Sequence, residues 1–78
     1  MNLNDLARIL NEMYSNAPEG DRVAKVHLFG VKYAECILRN NYKATEVVRL
    51  SGIKPSFATE VSNGIKLSKY VVPRVHEC

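Results

Sequence analysis

Residues 46–64 read EVVRLSGIKPSFATEVSNG and decide the fold, because they hold two short helix-compatible runs with a glycine between them. We predict the first helix over about residues 44–51, with Val47 and Val48 on its apolar side. Gly52 suits the chain reversal at the end of this helix, since glycine adopts a positive φ at little cost. The stretch is therefore typical of two helices that meet at a tight turn.

The second helix of the stretch is predicted over about residues 55–63. Pro55 is compatible with a first helical turn, because that position needs no backbone N–H donor. Ala58 and Val61 lie three residues apart and are expected to face the first helix. We expect Gly64 to end the helix. The opposite face of this helix then remains free of the first helix.

An amphipathic helix is predicted near the N-terminus, over about residues 3–15. Its apolar stripe has helical spacing and consists of Leu3, Leu6, Ile9, Leu10 and Met13. Asn2 suits the N-cap, with Asp5 three residues later as in a capping box. The stripe either packs over the core of the same chain or forms the seam of a homodimer, and the sequence leaves both interpretations open.

The longest predicted helix covers about residues 22–39. One of its faces is lined by Val23, Val26, Gly30, Ala34 and Ile37, and the apolar surface is widened by Leu28, Val31 and Leu38. A helix that is apolar over so much of its circumference is typical of the centre of a small bundle. Gly30 costs helix stability, so it marks either a close helix crossing or a kink. His27 and Tyr33 are expected at the core or its boundary, and Asn40 or Asn41 in a left-handed cap.

The four helices predict an all-α protein that forms a single domain over residues 1–78. It would consist of a small core of packed helices, an amphipathic N-terminal helix and a short C-terminal arm. The arm, residues 65–78, is compatible with an extended segment, a short strand or a last helical turn, and Pro73 argues against a long helix there.

The opening stretch resembles the helix-turn-helix of bacterial repressors, most closely that of the lactose-repressor type. The residues that match begin with Glu46 and Val47, continue through Gly52 and Ile53 at the turn, and end with Asn63 and Gly64. Ala58 and Val61 take the inward positions of the second helix. The match covers about a quarter of the chain.

This resemblance implies a small helix-turn-helix trihelical core, which the long 22–39 helix would complete. It also implies a bacterial or phage protein that binds double-stranded DNA and regulates transcription by occupying an operator, with a homodimer as a further option. The residues that would face bases are Ser56, Thr59, Glu60 and Asn63. The residues that would hold phosphates are Lys43, Arg49, Lys54, Lys66 and Lys69. Arg74 is a further cation near this segment.

Several residues depart from the repressor pattern. Val48 replaces the usual Ala, and Lys54 replaces the usual capping Ser. Pro55 occupies a base-reading position although it has no side-chain donor, and the predicted 55–63 helix contains neither Arg nor Lys. Phe57 stands where a small polar residue normally meets the DNA backbone. These departures favour an alternative, a protein-interaction module such as an accessory subunit or phage-type inhibitor, with Phe57 as the interface anchor.

Charge is unevenly distributed along the 78 residues, whose formal net charge is +3. Residues 1–20 hold one basic and three acidic side chains, whereas residues 21–78 hold ten basic and five acidic ones. A basic body suits a polyanionic partner, because neutralised phosphates release counterions. The acidic polar side of the first helix would lie away from DNA.

Catalysis, metal binding and membrane insertion are not expected. No nucleophile and base share a suitable arrangement, so we predict a protein that is not an enzyme and has no cofactor. His76, Glu77 and Cys78 could offer ligands but lie at the chain terminus, where a rigid metal site is not expected. Cys36 suggests a buried thiol. The absence of an 18-residue apolar run and of a signal-peptide pattern favours a cytoplasmic protein.

Overall fold

The computed structural model describes residues 1–72, which form four α-helices and no strand. The helices are α1 (Leu3–Ser15), α2 (Arg22–Arg39), α3 (Ala44–Ser51) and α4 (Phe57–Leu67). The predicted all-α fold class is therefore confirmed. None of the helices in the described part of the chain is long and apolar enough to cross a membrane.

Helix α1 starts at a capping box. The Asn2 side-chain oxygen accepts a hydrogen bond from the Asp5 backbone N–H at 2.8 Å, and the Asp5 carboxylate accepts one from the Asn2 N–H at 3.0 Å. These two bonds satisfy donors that a helix start leaves unpaired. The predicted capping pair is thus confirmed.

The apolar face of α1 packs into the core of the same chain. Leu6 and Leu10 are both 0% exposed. Asn11 adds a polar contact, because its side-chain amide donates to the Ser51 carbonyl oxygen of α3 at 2.9 Å. Of the two interpretations of the α1 stripe, the structure supports intramolecular packing, and Leu6 and Leu10 are not available for a dimer seam.

Helix α2 contributes more buried residues to the core than any other helix of the described chain. Val26, Phe29 and Ile37 are almost fully buried, and Tyr33 is buried as expected. The sequence analysis missed Phe29, which is the largest fully buried side chain. It also placed three α2 side chains on the apolar surface that the structure leaves exposed: Val23, Leu28 and Leu38. The helix ends before Asn41, which adopts the left-handed conformation with φ 56°.

The turn between α3 and α4 is held by short-range hydrogen bonds around a left-handed glycine. Gly52 has φ 84° and ψ 0°, as its place in the turn predicted. The buried Ser51 hydroxyl donates to the Val48 carbonyl oxygen at 2.6 Å and accepts from the Ile53 backbone N–H at 3.3 Å. Ile53 itself is buried. The turn is therefore anchored to the core on both sides of Gly52.

Helices α2 and α4 cross in close contact at two glycines. A Cβ atom added at Gly30 would lie 2.5 Å from the Val61 carbonyl oxygen and 2.9 Å from the Gly64 Cα. A Cβ added at Gly64 would in turn meet the backbone carbonyl of His27. Of the two roles considered for Gly30, the structure shows the close crossing.

The position of α4 corrects two expectations. Gly64 lies inside α4 and does not end it, because its role is to let α2 approach. The helix begins two residues after Pro55 and continues to Leu67, so residues 65–67 of the predicted arm are helical. Residues 68–70 form turns, and residues 71–72 have no regular structure. Arg74 and the rest of the arm, residues 73–78, lie outside the described residues.

Cys36 is buried on α2, with 1% of its surface exposed. Its sulfur is disulfide-bonded, so the expected free thiol is wrong. The other cysteine of the chain, Cys78, is not among the described residues.

Candidate nucleic-acid interface

Helix α4 has one buried face and one exposed polar face. Val61 and Gly64 are buried against the rest of the domain. Thr59, Asn63 and Lys66 are exposed, and their spacing of four and three residues places them on one side of the helix. The exposed face is thus polar, carries one cation, and is held in position by the glycine crossing on its opposite side.

Three of the four residues predicted to face bases are exposed on or beside α4. Ser56 precedes the first helical residue, and Thr59 and Asn63 lie one turn apart on the helix. Hydroxyl and amide side chains can donate to and accept from base edges. The structure therefore brings these three side chains to one surface.

Glu60 lies at the edge of that surface and contacts α2. Its carboxylate oxygen Oε2 is within hydrogen-bonding contact of the His27 imidazole nitrogen Nε2. Both side chains are partly exposed, with 38% of His27 and 31% of Glu60 accessible. The sequence analysis placed His27 at the core boundary but found no partner for it. The partner comes from a helix 33 residues away, so helical spacing along α2 could not reveal it.

Phe57 is half-buried and packs against α1. Its ring lies edge-on to the Tyr14 ring of α1, with centroids 5.2 Å apart and planes at 69°. The Arg22 guanidinium lies over the other side of this cluster, 5.1 Å from the Tyr14 centroid. Aromatic pairs of this geometry stabilise a fold beyond the area they bury. Phe57 therefore joins α1 to the start of α4, and its ring is already engaged by an intramolecular contact.

Five exposed cations surround α3 and α4. Lys43 precedes the first residue of α3, Arg49 lies in the last turn of α3, and Lys54 lies in the turn between the helices. Lys66 lies in the last turn of α4, and Lys69 lies beyond its end. None of the five forms an ion pair within residues 1–72. The cations Arg8 and Arg39, by contrast, pair with Glu12 and Glu35 on their own helices. Five cations without an ion pair in residues 1–72 thus lie around the turn and α4.

Lys66 changes the description of α4. The predicted helix ended at residue 63 and contained no basic side chain, whereas the observed helix includes Lys66 in its last turn. Lys66 is seven residues from Thr59, which is about two helical turns, so both side chains project from the same face. The lack of a basic side chain, which set the predicted 55–63 helix apart from the repressor pattern, therefore does not apply to the observed α4.

The described residues contain no candidate metal site. Within residues 1–72 there is no group of three or more His, Cys, Asp or Glu side chains that could hold a metal ion. The candidate interface is composed of hydroxyl, amide, ammonium and guanidinium groups with the carboxylate of Glu60, and these groups suit hydrogen bonding and charge neutralisation.

The fold and this surface define a small helical domain built on a helix-turn-helix. The chain belongs to the HTH-like domain family, whose model matches residues 2–74. The match supports a small HTH-like domain and does not extend to the lactose-repressor type that the α3–α4 stretch resembles. Comparisons with curated proteins and with solved structures gave no match.

Proposed function

We propose that this protein binds double-stranded DNA and places α4 in the major groove. The observation that carries the proposal is the exposed polar face of α4, bordered by five exposed cations without an ion-pair partner in residues 1–72. Membership of the HTH-like domain family supports the same function. The major groove admits one α-helix and offers each base pair a distinct set of donors and acceptors.

Base recognition is assigned to four side chains. Ser56, Thr59 and Asn63 are exposed along one side of α4 and can bond to base edges. Glu60 lies beside them, and its carboxylate can accept from the N4 amine of cytosine while His27 occupies one of its lone pairs. Contacts of this kind contribute about 1–3 kcal/mol of discrimination each when they are bidentate.

Phosphate contacts are assigned to Lys43, Arg49, Lys54, Lys66 and Lys69. These side chains lie before, between and after α3 and α4. Groups that contact the DNA backbone on both sides of a groove would have this arrangement. If all five neutralise phosphates, log K should fall with log salt concentration with a slope of about −4 to −5. Affinity at low salt then exceeds affinity at physiological salt by orders of magnitude.

The biological role that fits such a binder is transcriptional regulation by occupancy of an operator. We include a homodimer in the proposal, because two-fold helix-turn-helix proteins occupy paired half-sites. Its seam would use a surface other than the buried stripe of α1, whose Leu6 and Leu10 are 0% exposed. The proposed protein acts by binding, without catalysis or cofactor, in the cytoplasm of a bacterial cell.

The alternative, a protein-interaction module, depended on Phe57 as an outward anchor. That ring packs against Tyr14 and the hydrophobic core, so its contacts are largely intramolecular.

The test selects duplexes from a randomised pool and measures their binding by fluorescence anisotropy. Replacing Asn63 by Ala should relax the sequence preference, whereas replacing Lys66 by Ala should weaken all duplexes alike and reduce the salt slope by about 1. Lys25→Ala is the matched control. It removes the same charge from α2, in a groove that α2 forms with α1. Equal losses in Lys25→Ala and Lys66→Ala would mean that only net charge matters and would refute the proposed interface.

A further inference from the structure

We infer that DNA binding is coupled to proton uptake at the His27–Glu60 pair, so that affinity rises as the pH falls. The inference rests on the proposed function and concerns the regulation of the same surface. The structural observation is that the one acidic side chain of α4 is held by an imidazole from α2.

The charge of the pair changes with the protonation of His27. With a neutral imidazole the pair carries the −1 charge of the Glu60 carboxylate. With an imidazolium the pair is neutral. DNA phosphates repel the first state more than the second, so the bound complex favours the protonated pair. Any group that is more protonated in the bound state makes binding stronger at lower pH.

The position of the pair makes this coupling effective. Glu60 follows Thr59 directly and precedes Asn63 by one turn, so its carboxylate lies at the margin of the exposed face of α4. Both side chains are partly exposed, which lets protons exchange with solvent and lets the field of the DNA reach them. A fully buried pair would be shielded from both.

The two helices of the pair place no second charged group one turn away from it. No ionisable side chain lies three or four residues before or after His27 on α2, or Glu60 on α4. The Arg22 guanidinium, at the start of α2, lies over the Tyr14 ring that packs on Phe57, one turn before Glu60. Arginine keeps its charge at all relevant pH values, so it does not contribute to the pH dependence. The change of charge near α4 therefore comes from His27.

The effect is measurable in the range where histidine side chains titrate, about pH 5 to 8. The direction of the pH dependence is fixed, because the DNA-bound protein holds more protons than the free protein. The dissociation constant should rise with pH, and uptake of one full proton would give a limit of about tenfold per pH unit. Duplex DNA itself does not change its phosphate charge in this range.

The experiment is anisotropy titration of a labelled duplex at several pH values and constant ionic strength, with wild type, His27→Gln and Glu60→Gln. Glutamine at position 27 can still donate to Glu60 but cannot become charged, so this variant should bind with a nearly flat pH profile. Glu60→Gln keeps the imidazole of His27, so its affinity should still rise as the pH falls, which separates the contribution of the imidazole from that of the carboxylate. Circular dichroism establishes that each variant is folded, and His27→Asn replaces His27→Gln if that variant is not.

The chain offers a matched control in its second histidine, His76, which lies outside the described residues. His76→Gln should keep the pH dependence of wild type. A wild-type affinity that does not change with pH, or a slope that persists in His27→Gln, overturns the inference and leaves DNA binding intact. No binding at any pH, even at low salt, overturns the proposed function and the inference together.

Discussion

Replacing Gly30 by Ala should destabilise the domain, although alanine is the better helix former. The new Cβ would lie 2.5 Å from the Val61 carbonyl oxygen and 2.9 Å from the Gly64 Cα, so α4 would have to move. Helix propensity favours alanine by about 1 kcal/mol. Overpacking costs about 1–3 kcal/mol, and we take the upper end because both atoms belong to a backbone. The net loss is then about 2 kcal/mol.

The assay is thermal and urea unfolding followed by far-ultraviolet circular dichroism. For a domain of this size, a loss of about 2 kcal/mol lowers the melting temperature by about 8–16 °C. Ala24→Gly is the control, because Ala24 is exposed on the same helix and reports helix propensity without a crossing. It should cost about 1 kcal/mol. A Gly30→Ala variant that is more stable than wild type would refute the close crossing of α2 and α4.

Three further changes test other parts of the fold by the same unfolding assay. Phe57→Ala should lower the free energy of unfolding by about 2–4 kcal/mol, because it removes a half-buried ring that packs edge-on to Tyr14. An unchanged stability would instead support Phe57 as an outward interface anchor. Gly52→Ala should cost about 1–2 kcal/mol through its positive φ, and Gly52→Asn less, since asparagine tolerates this conformation. Asn2→Ala should cost about 1 kcal/mol by removing the acceptor of the Asp5 N–H, and an unchanged melting temperature would argue against the capping box.

Local features of this fold could be predicted from the sequence because their causes are local. The capping box of Asn2 and Asp5 depends on two side chains three residues apart. The turn at Gly52 depends on one residue that tolerates a positive φ. The apolar stripe of α1 has a period that only a helix gives. Each of these follows from residue type and short-range spacing.

Features that depend on which helices meet could not be predicted in this way. A glycine near a helix end has the same sequence signature as a glycine at a crossing, so Gly64 was assigned to the wrong role and α4 was made too short. His27 and Glu60 belong to different helices, and nothing in either helix marks the pair. Phe57 was placed outside because the repressor pattern has a small polar residue there, whereas the ring finds Tyr14 on α1.

The candidate interface likewise contains some features that local spacing predicts and others that depend on contacts between helices. The exposed positions Ser56, Thr59 and Asn63 follow from helical periodicity once Val61 is placed inward. The membership of Lys66 in α4 required the true end of the helix, which the α2–α4 crossing determines. The contact that restrains Glu60 could not be predicted from the sequence, because it comes from His27 on another helix.

The most direct test of the account is the binding of wild-type protein to duplex DNA, measured by fluorescence anisotropy at low and at physiological salt. One labelled duplex carries the sequence upstream of the protein's own gene, and a second carries the same bases in scrambled order. The account predicts that the native duplex binds more tightly and that this preference survives at physiological salt, because base contacts are less salt-sensitive than phosphate contacts. Equal binding that disappears with salt, or no binding at low salt, would contradict sequence recognition by α4.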